Sequence, residues 1–157
     1  MLLVFFVCPA LGYSQDISEK ILEMRKKFMA GQALSKEELK LQKKLVDGQD
    51  VSMIQLISDP KQYHNRLVGI TGFVNLEFEG NAVYFSQDDY KYGISKNALW
   101  IEATEDMKQN PQNYSQKYCY TFGTFDGKSK GHMSSFNGTI KDVLRIEPQL
   151  FELLSEL

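Results

Sequence analysis

The sequence predicts a mainly β protein, a five-stranded barrel over residues 51–148 that follows a charged helical segment. Three observations carry this expectation. Alternating apolar stretches recur five times between Val51 and Pro148, separated by clusters of Gly, Asn, Asp and Ser. The first stretch, Arg66–Phe78, is long and carries glycines at Gly69 and Gly72, where a strand can bend across two sheets. Residues 16–49 instead repeat near the helical period. Of 157 residues, 43% are hydrophobic, and ten Phe, eight Tyr and one Trp supply enough large apolar area for one core.

Residues 1–14, MLLVFFVCPALGYS, read as a secretory signal peptide. The apolar run Leu2–Leu11 falls short of the roughly 20 residues a spanning helix needs. Gly12-Tyr13-Ser14 supplies a small-x-small cleavage site, so the mature chain is expected to begin near Gln15, exported to the periplasm or medium, without a transmembrane helix. No Lys or Arg follows Met1, so a buried N-terminal strand or an uncleaved anchor stays open as the alternative. Cleavage would remove Cys8 and leave Cys119 alone, which excludes an internal disulfide in the mature chain.

In residues 15–50, Ile17, Ile21, Leu22, Met24 and Phe28 mark a first helix, and Gly31 breaks it. Ser35 with Glu38 forms a capping box for a second helix carrying Leu39, Leu41, Leu45 and Val46, which Gly48 closes. Eight basic against seven acidic residues from Asp16 to Asp50 describe a solvated hairpin or spacer, with a partner-binding helix as the alternative. Ser52 can cap a short helix over Met53, Ile54, Leu56 and Ile57, placed to plug or flank one end of the barrel. Pro60 ends it.

Along Arg66–Phe78, the residues Val68, Ile70, Val74, Leu76 and Phe78 share one face. Glu79-Gly80-Asn81 turns the chain into strand two, Ala82–Ser86. The polar, aromatic loop Gln87–Asn97 leads to strand three, Ala98–Ala103. A helical turn is expected within Thr104–Gln116, then strand four over Lys117–Phe125. The Gly/Ser/Lys loop Asp126–Asn137 precedes strand five, Gly138–Glu147, which Pro148 ends. Residues 149–157 form a tail or short helix.

Residues 53–148 resemble the oligonucleotide/oligosaccharide-binding (OB-fold) barrels, in particular small exported bacterial proteins of the transfer-RNA-anticodon-like type. The resemblance rests on Asp59-Pro60, Tyr63, Val68-x-Ile70-x-Gly72-x-Val74, Phe122-Gly123-Thr124-Phe125 and Gly138-Thr139-Ile140. The chain also resembles uncharacterised bacterial proteins that share LEFEGNA, Lys96-Asn97-Ala98-Leu99-Trp100 and Gly131-His132. One departure is Tyr63-His64-Asn65, where many such barrels turn on glycine. The resemblance implies an OB-like fold and no reaction.

Residues 51–148 hold ten basic and eleven acidic side chains. That balance argues against a nucleic-acid role, whose affinity comes mainly from phosphate neutralisation. The composition instead points to two loops and one aromatic face. Asp88, Asp89, Tyr90 and Tyr92, with Glu77 and Glu79 on the preceding turn, put carboxylates beside aromatic rings, able to contact a ligand or remain a solvated loop. An EF-hand spacing is absent, so no metal or cofactor is expected. Trp100 is either core or a stacking platform with Tyr84 nearby. His132 lies among Lys128, Lys130, Ser134 and Ser135; Lys128–Gly131 could hold an anion. No nucleophile elbow or P-loop is present, and no catalytic residue is assigned. The expected function is an exported, non-catalytic binding module for a protein or glycan of the cell envelope. The alternatives are a small hydrolase of envelope polymers using loop carboxylates, and single-stranded nucleic-acid binding.

Overall fold

Alternation along one strand decides how the barrel closes. A computed structural model describes residues 15–149; the expected leader with Cys8, the tail 150–157 and the side chains of Ile17 and Phe28 lie outside the described residues. In β2 (Arg66–Asn75), Val68, Ile70 and Val74 point into the core, while Leu67 and Phe73 belong to clusters on the outer wall.

β2 pairs antiparallel with β3 (Ala82–Tyr84), and β3 with β4 (Ala98–Ile101). β4 runs parallel to β6 (Thr139–Pro148), with Trp100 opposite Thr139. β6 pairs antiparallel with β5 (Lys117–Asp126), and β5 returns antiparallel to β2, from Arg66 opposite Phe125 to Val74 opposite Lys117. The ring is closed: five strands form an OB-like barrel. Two-residue β1 (Gln49–Asp50) adds a parallel pairing on β2.

All five expected strands are present; the second and third stop at Tyr84 and Ile101, two residues early, and the first is shorter than expected, ending at Asn75. Its ladder passes to the segment before β5, because Leu76 N donates to Ser115 Oγ at 2.9 Å and Gln116 N donates to Val74 O at 2.7 Å. Gly80 N then turns back to Glu77 O at 3.1 Å. Phe78 therefore leaves the apolar face and is 93% exposed.

The helices follow their caps. α1 (Gln15–Met29) ends before Gly31, and α2 (Lys36–Val46) starts at the Ser35–Glu38 capping box. α3 (Met53–Ser58) has a second box: Gln55 N donates to Ser52 Oγ at 3.2 Å, and Ser52 N donates to Gln55 Oε1 at 2.9 Å. Pro60 stops α3 and opens the single turn α4 (Pro60–Tyr63), since proline fits the first helical position. Ser86 caps α5 (Gln87–Lys91) and Thr104 caps α6 (Glu105–Gln109), so both long loops carry a short helix.

Met53 and Leu56 of α3, Tyr63 of α4 and Met107 of α6 are buried with the inward strand residues, so three short helices seal the barrel interior. Gly72 makes room for α3. A Cβ there would lie 2.6 Å from Tyr84 O and 2.8 Å from Met53 Sδ. Ser52→Ala removes the hydrogen bond from Gln55 N to Ser52 Oγ, keeps the backbone one to Gln55 Oε1, and is expected to lower stability by ~1 kcal/mol, read as a lower urea midpoint with an unchanged slope. Cys119 is buried within the barrel, where its thiol donates to Tyr114 O at 3.5 Å. Among the described residues no helix is long and apolar enough to cross a membrane.

Candidate functional site

Leu99 and Ile101 are fully buried in the core, so the pleat turns Trp100 between them to the outer wall, where it stays half-buried. The β5–β6 loop is laid directly on its indole. Gly131 has φ +63, and a Cβ there would sit 2.5 Å from Trp100 Cβ. His132 stacks on the indole with ring centroids 6.4 Å apart and planes at 29°. Phe136 tilts against it at 5.5 Å.

The β2–β3 turn meets this loop. Glu79 Oε2 lies 3.8 Å from His132 Nε2. Both loops carry backbone in the left-handed region at residues other than glycine: Glu79 (φ 58), Met133 (φ 51) and Ser134 (φ 57). Such conformations cost energy, and here each is neighbour to a large exposed apolar side chain. Phe78 is 93% exposed and Met133 84%.

Of the expected site residues, Glu79, Trp100 and His132 are brought together. Tyr84 and Tyr90 lie in the same outer-wall cluster as Trp100 and Phe136, as the expected Tyr84–Trp100 neighbourhood requires, but they face Phe73 rather than Glu79 and His132. They form a packed wall with Phe73, Tyr84 edge-on to Tyr90 at 5.4 Å and Phe73 to Tyr90 at 5.5 Å. Burial raises the Tyr84 phenol above its ordinary pKa, and the charge of Glu77 adds to this. Asp89 is buried at the N-terminal end of α5, its carboxylate accepting from Ser86 Oγ at 2.6 Å and from Asn97 Nδ2 at 2.8 Å. That carboxylate holds the loop closed. Glu77 and Asp88 are exposed, and Tyr92 is exposed under the Lys91 ammonium, 5.5 Å from its ring centroid. Among the described residues, no three His, Cys, Asp or Glu side chains converge as a metal site would require.

Met133 and Phe136 sit on the loop laid on Trp100, and Phe78 precedes Glu79 on the β2–β3 turn, where it lines a hollow with Leu76, Met107 and Pro111; sequence reasoning missed all three as site residues. Phe78 was hidden by continuing the strand alternation through the turn. Met133 and Phe136 carried one signal, their place beside Gly131-His132.

Asp126 fixes the base of the β5–β6 loop. It accepts from Lys141 Nζ at 2.9 Å and from the backbone N–H of Lys128 and Ser129 at 3.0 and 3.2 Å. His64 Nδ1 lies 3.3 Å away. Lys130, a member of the possible anion-binding run, donates instead to Asn137 O at 2.8 Å. The Lys141 hydrogen bond, followed by the two backbone donors and against partial desolvation, holds the Asp126 carboxyl at about 2, below its ordinary 3.8. A depressed folded pKa gives stability that is full above the ordinary carboxylate range and is lost as pH falls through about 2. Asp126→Asn is expected to lower the urea midpoint at neutral pH and to flatten its fall in acid. Identical acid profiles for the two proteins would remove Asp126 as the source.

Comparison with known protein families, curated proteins and solved structures finds no match to this chain, so its OB-like architecture rests on the strand pairing described above.

Proposed function

We propose that this chain is a non-catalytic binding module that engages a protein partner through the Trp100 surface. The observation that carries this reading is the pair of exposed apolar tips, Phe78 and Met133, on two loops joined by Glu79 and His132 over a half-buried tryptophan. Large apolar side chains rimmed by polar groups are the usual anchors of protein interfaces. A sugar or base platform needs a free ring face, whereas His132, Phe136 and Gly131 all crowd this indole. The hydrolase alternative needs two opposed carboxylates about 5–9.5 Å apart; Asp89 is taken up by Ser86 and Asn97, and Glu77, Glu79 and Asp88 are exposed to solvent. Export belongs to this proposal through the apolar run Leu2–Leu11, and places the partner in the cell envelope.

The test compares the full chain with a Phe78→Ser/Met133→Ser variant. Both side chains are exposed, so thermal stability should hold. Quantitative affinity purification from the native cell should enrich a defined partner with the wild type and lose it, by roughly tenfold or more, with the variant. Equal enrichment in both would sink the assignment.

A further inference from the structure

A second surface lies at the seam between α2 and the barrel. An open hollow of about 770 Å³ is lined there by Lys40 and Lys43 of α2, the Asp47–Gln49 turn, and Asn65 and Arg66 at the start of β2. Lys40 and Lys43 are three residues apart on one helix and so share a face. Arg66 begins a strand held in register opposite Phe125.

The charges in this hollow are unbalanced. Among the described residues, none of the three cations has a carboxylate within ion-pair distance. Elsewhere Lys27 pairs with Glu23 and Glu38, Lys108 with Glu105, Lys141 with Asp126 and Arg145 with Glu147, while other exposed lysines, such as Lys61, stand singly rather than together on one lining. Among the described residues, the hollow's lining offers the Asp47 carboxylate against three positive groups.

The seam itself is thinly closed. α2 contributes Leu45, half-buried against Leu67, Phe122 and Leu144. At Gly48 the chain passes flat onto the barrel, since a Cβ there would lie 2.4 Å from the Phe122 ring. Like charges from helix and strand therefore share one hollow across a narrow apolar contact. An anion between them would replace repulsion by a bridge.

We propose that this hollow binds a phosphate-class oxyanion, which joins α2 to the barrel. Arg66 supplies a planar fork that matches two oxygens, and Lys40 and Lys43 supply point charges. The source is either a soluble phosphate or a lipid phosphate headgroup. The site is separate from the Trp100 surface, so either assignment can fail without the other.

Inorganic phosphate is the first probe, titrated into the full chain at constant ionic strength with chloride as the balancing salt. Amide resonances of Lys40, Lys43, Gly48, Gln49 and Arg66 should shift and saturate. A Lys43→Gln/Arg66→Gln variant should weaken binding by roughly tenfold or more, given the strength of charge-assisted hydrogen bonds. Lys61→Gln, an exposed lysine outside the hollow, should leave it unchanged. The second arm uses phosphatidylcholine vesicles with and without phosphatidylglycerol. Flotation only with the anionic vesicles, lost in the double variant, assigns a lipid headgroup. Saturating shifts with free phosphate and no flotation assign a soluble ligand. Failure of both arms, or equal binding by the double variant, overturns the proposal.

Discussion

Phe125→Ala is expected to cost about 3–5 kcal/mol, the largest loss of any single truncation in this fold. Phe125 is fully buried and heads the core by side-chain volume. It sits on the inward phase of β5 with Cys119 and Thr121, where it packs with inward residues of the other strands and with the helical plugs. The chain is shaped around its ring. A Cβ at Gly138 would lie 2.3 Å from Phe125 Cε2, and one at Gly127 would lie 3.2 Å from Cε1. Neighbours that approach on bare backbone cannot swing side chains into the vacated space, so a cavity remains and the cost falls at the high end of the range. With a urea slope of about 2 kcal/mol per molar, the midpoint should fall by roughly 2 M. A loss under about 1 kcal/mol would mean that the barrel interior is not the cooperative core.

How much of this was legible in the sequence follows from the physics of each element. Strands were legible because one buried wall imposes a period of two. Val68, Ile70 and Val74 obey it, and Leu99 and Ile101 obey it on either side of Trp100. Capped helices were legible because Ser35 with Glu38, and Ser52 as a cap, form local hydrogen bonds that need no tertiary partner; the Gln55 half of the second box emerged with the structure. Phe78 was misplaced because the end of β2 is set by Ser115 and Gln116, about forty residues away, and no local pattern reports them. The site was half legible for the same reason. Residue type picked out Glu79, Trp100 and His132, but their meeting depends on barrel closure, which brings the β2–β3 turn against the β5–β6 loop. Asp89 looked like a ligand carboxylate, and its commitment to Ser86 and Asn97 appears only once α5 is formed.

Gly131→Ala should couple stability to the Trp100 surface, and its effect divides into two parts. The first is backbone strain. Gly131 has φ +63, a region costly to any residue with a Cβ, on the order of 1 kcal/mol for alanine. The second is steric. The new methyl would approach Trp100 Cβ to 2.5 Å and Cγ to 2.7 Å, against the part of the indole side chain anchored to β4. That neighbour cannot yield, so the loop must lift. His132 then leaves the indole, its approach to Glu79 is lost, and Trp100 gains exposure to water. Gly93→Ala separates the parts, since Gly93 has φ +66 with no atom within 4 Å of the added carbon. Both variants should lose the strain increment. Gly131→Ala alone should lose a further ~1–3 kcal/mol and shift the emission of the chain's one tryptophan to longer wavelength. It should also lose the partner that the Phe78→Ser/Met133→Ser variant loses. Should the two glycine variants match in stability and emission, the loop does not bear on Trp100, and the interaction surface loses its central contact.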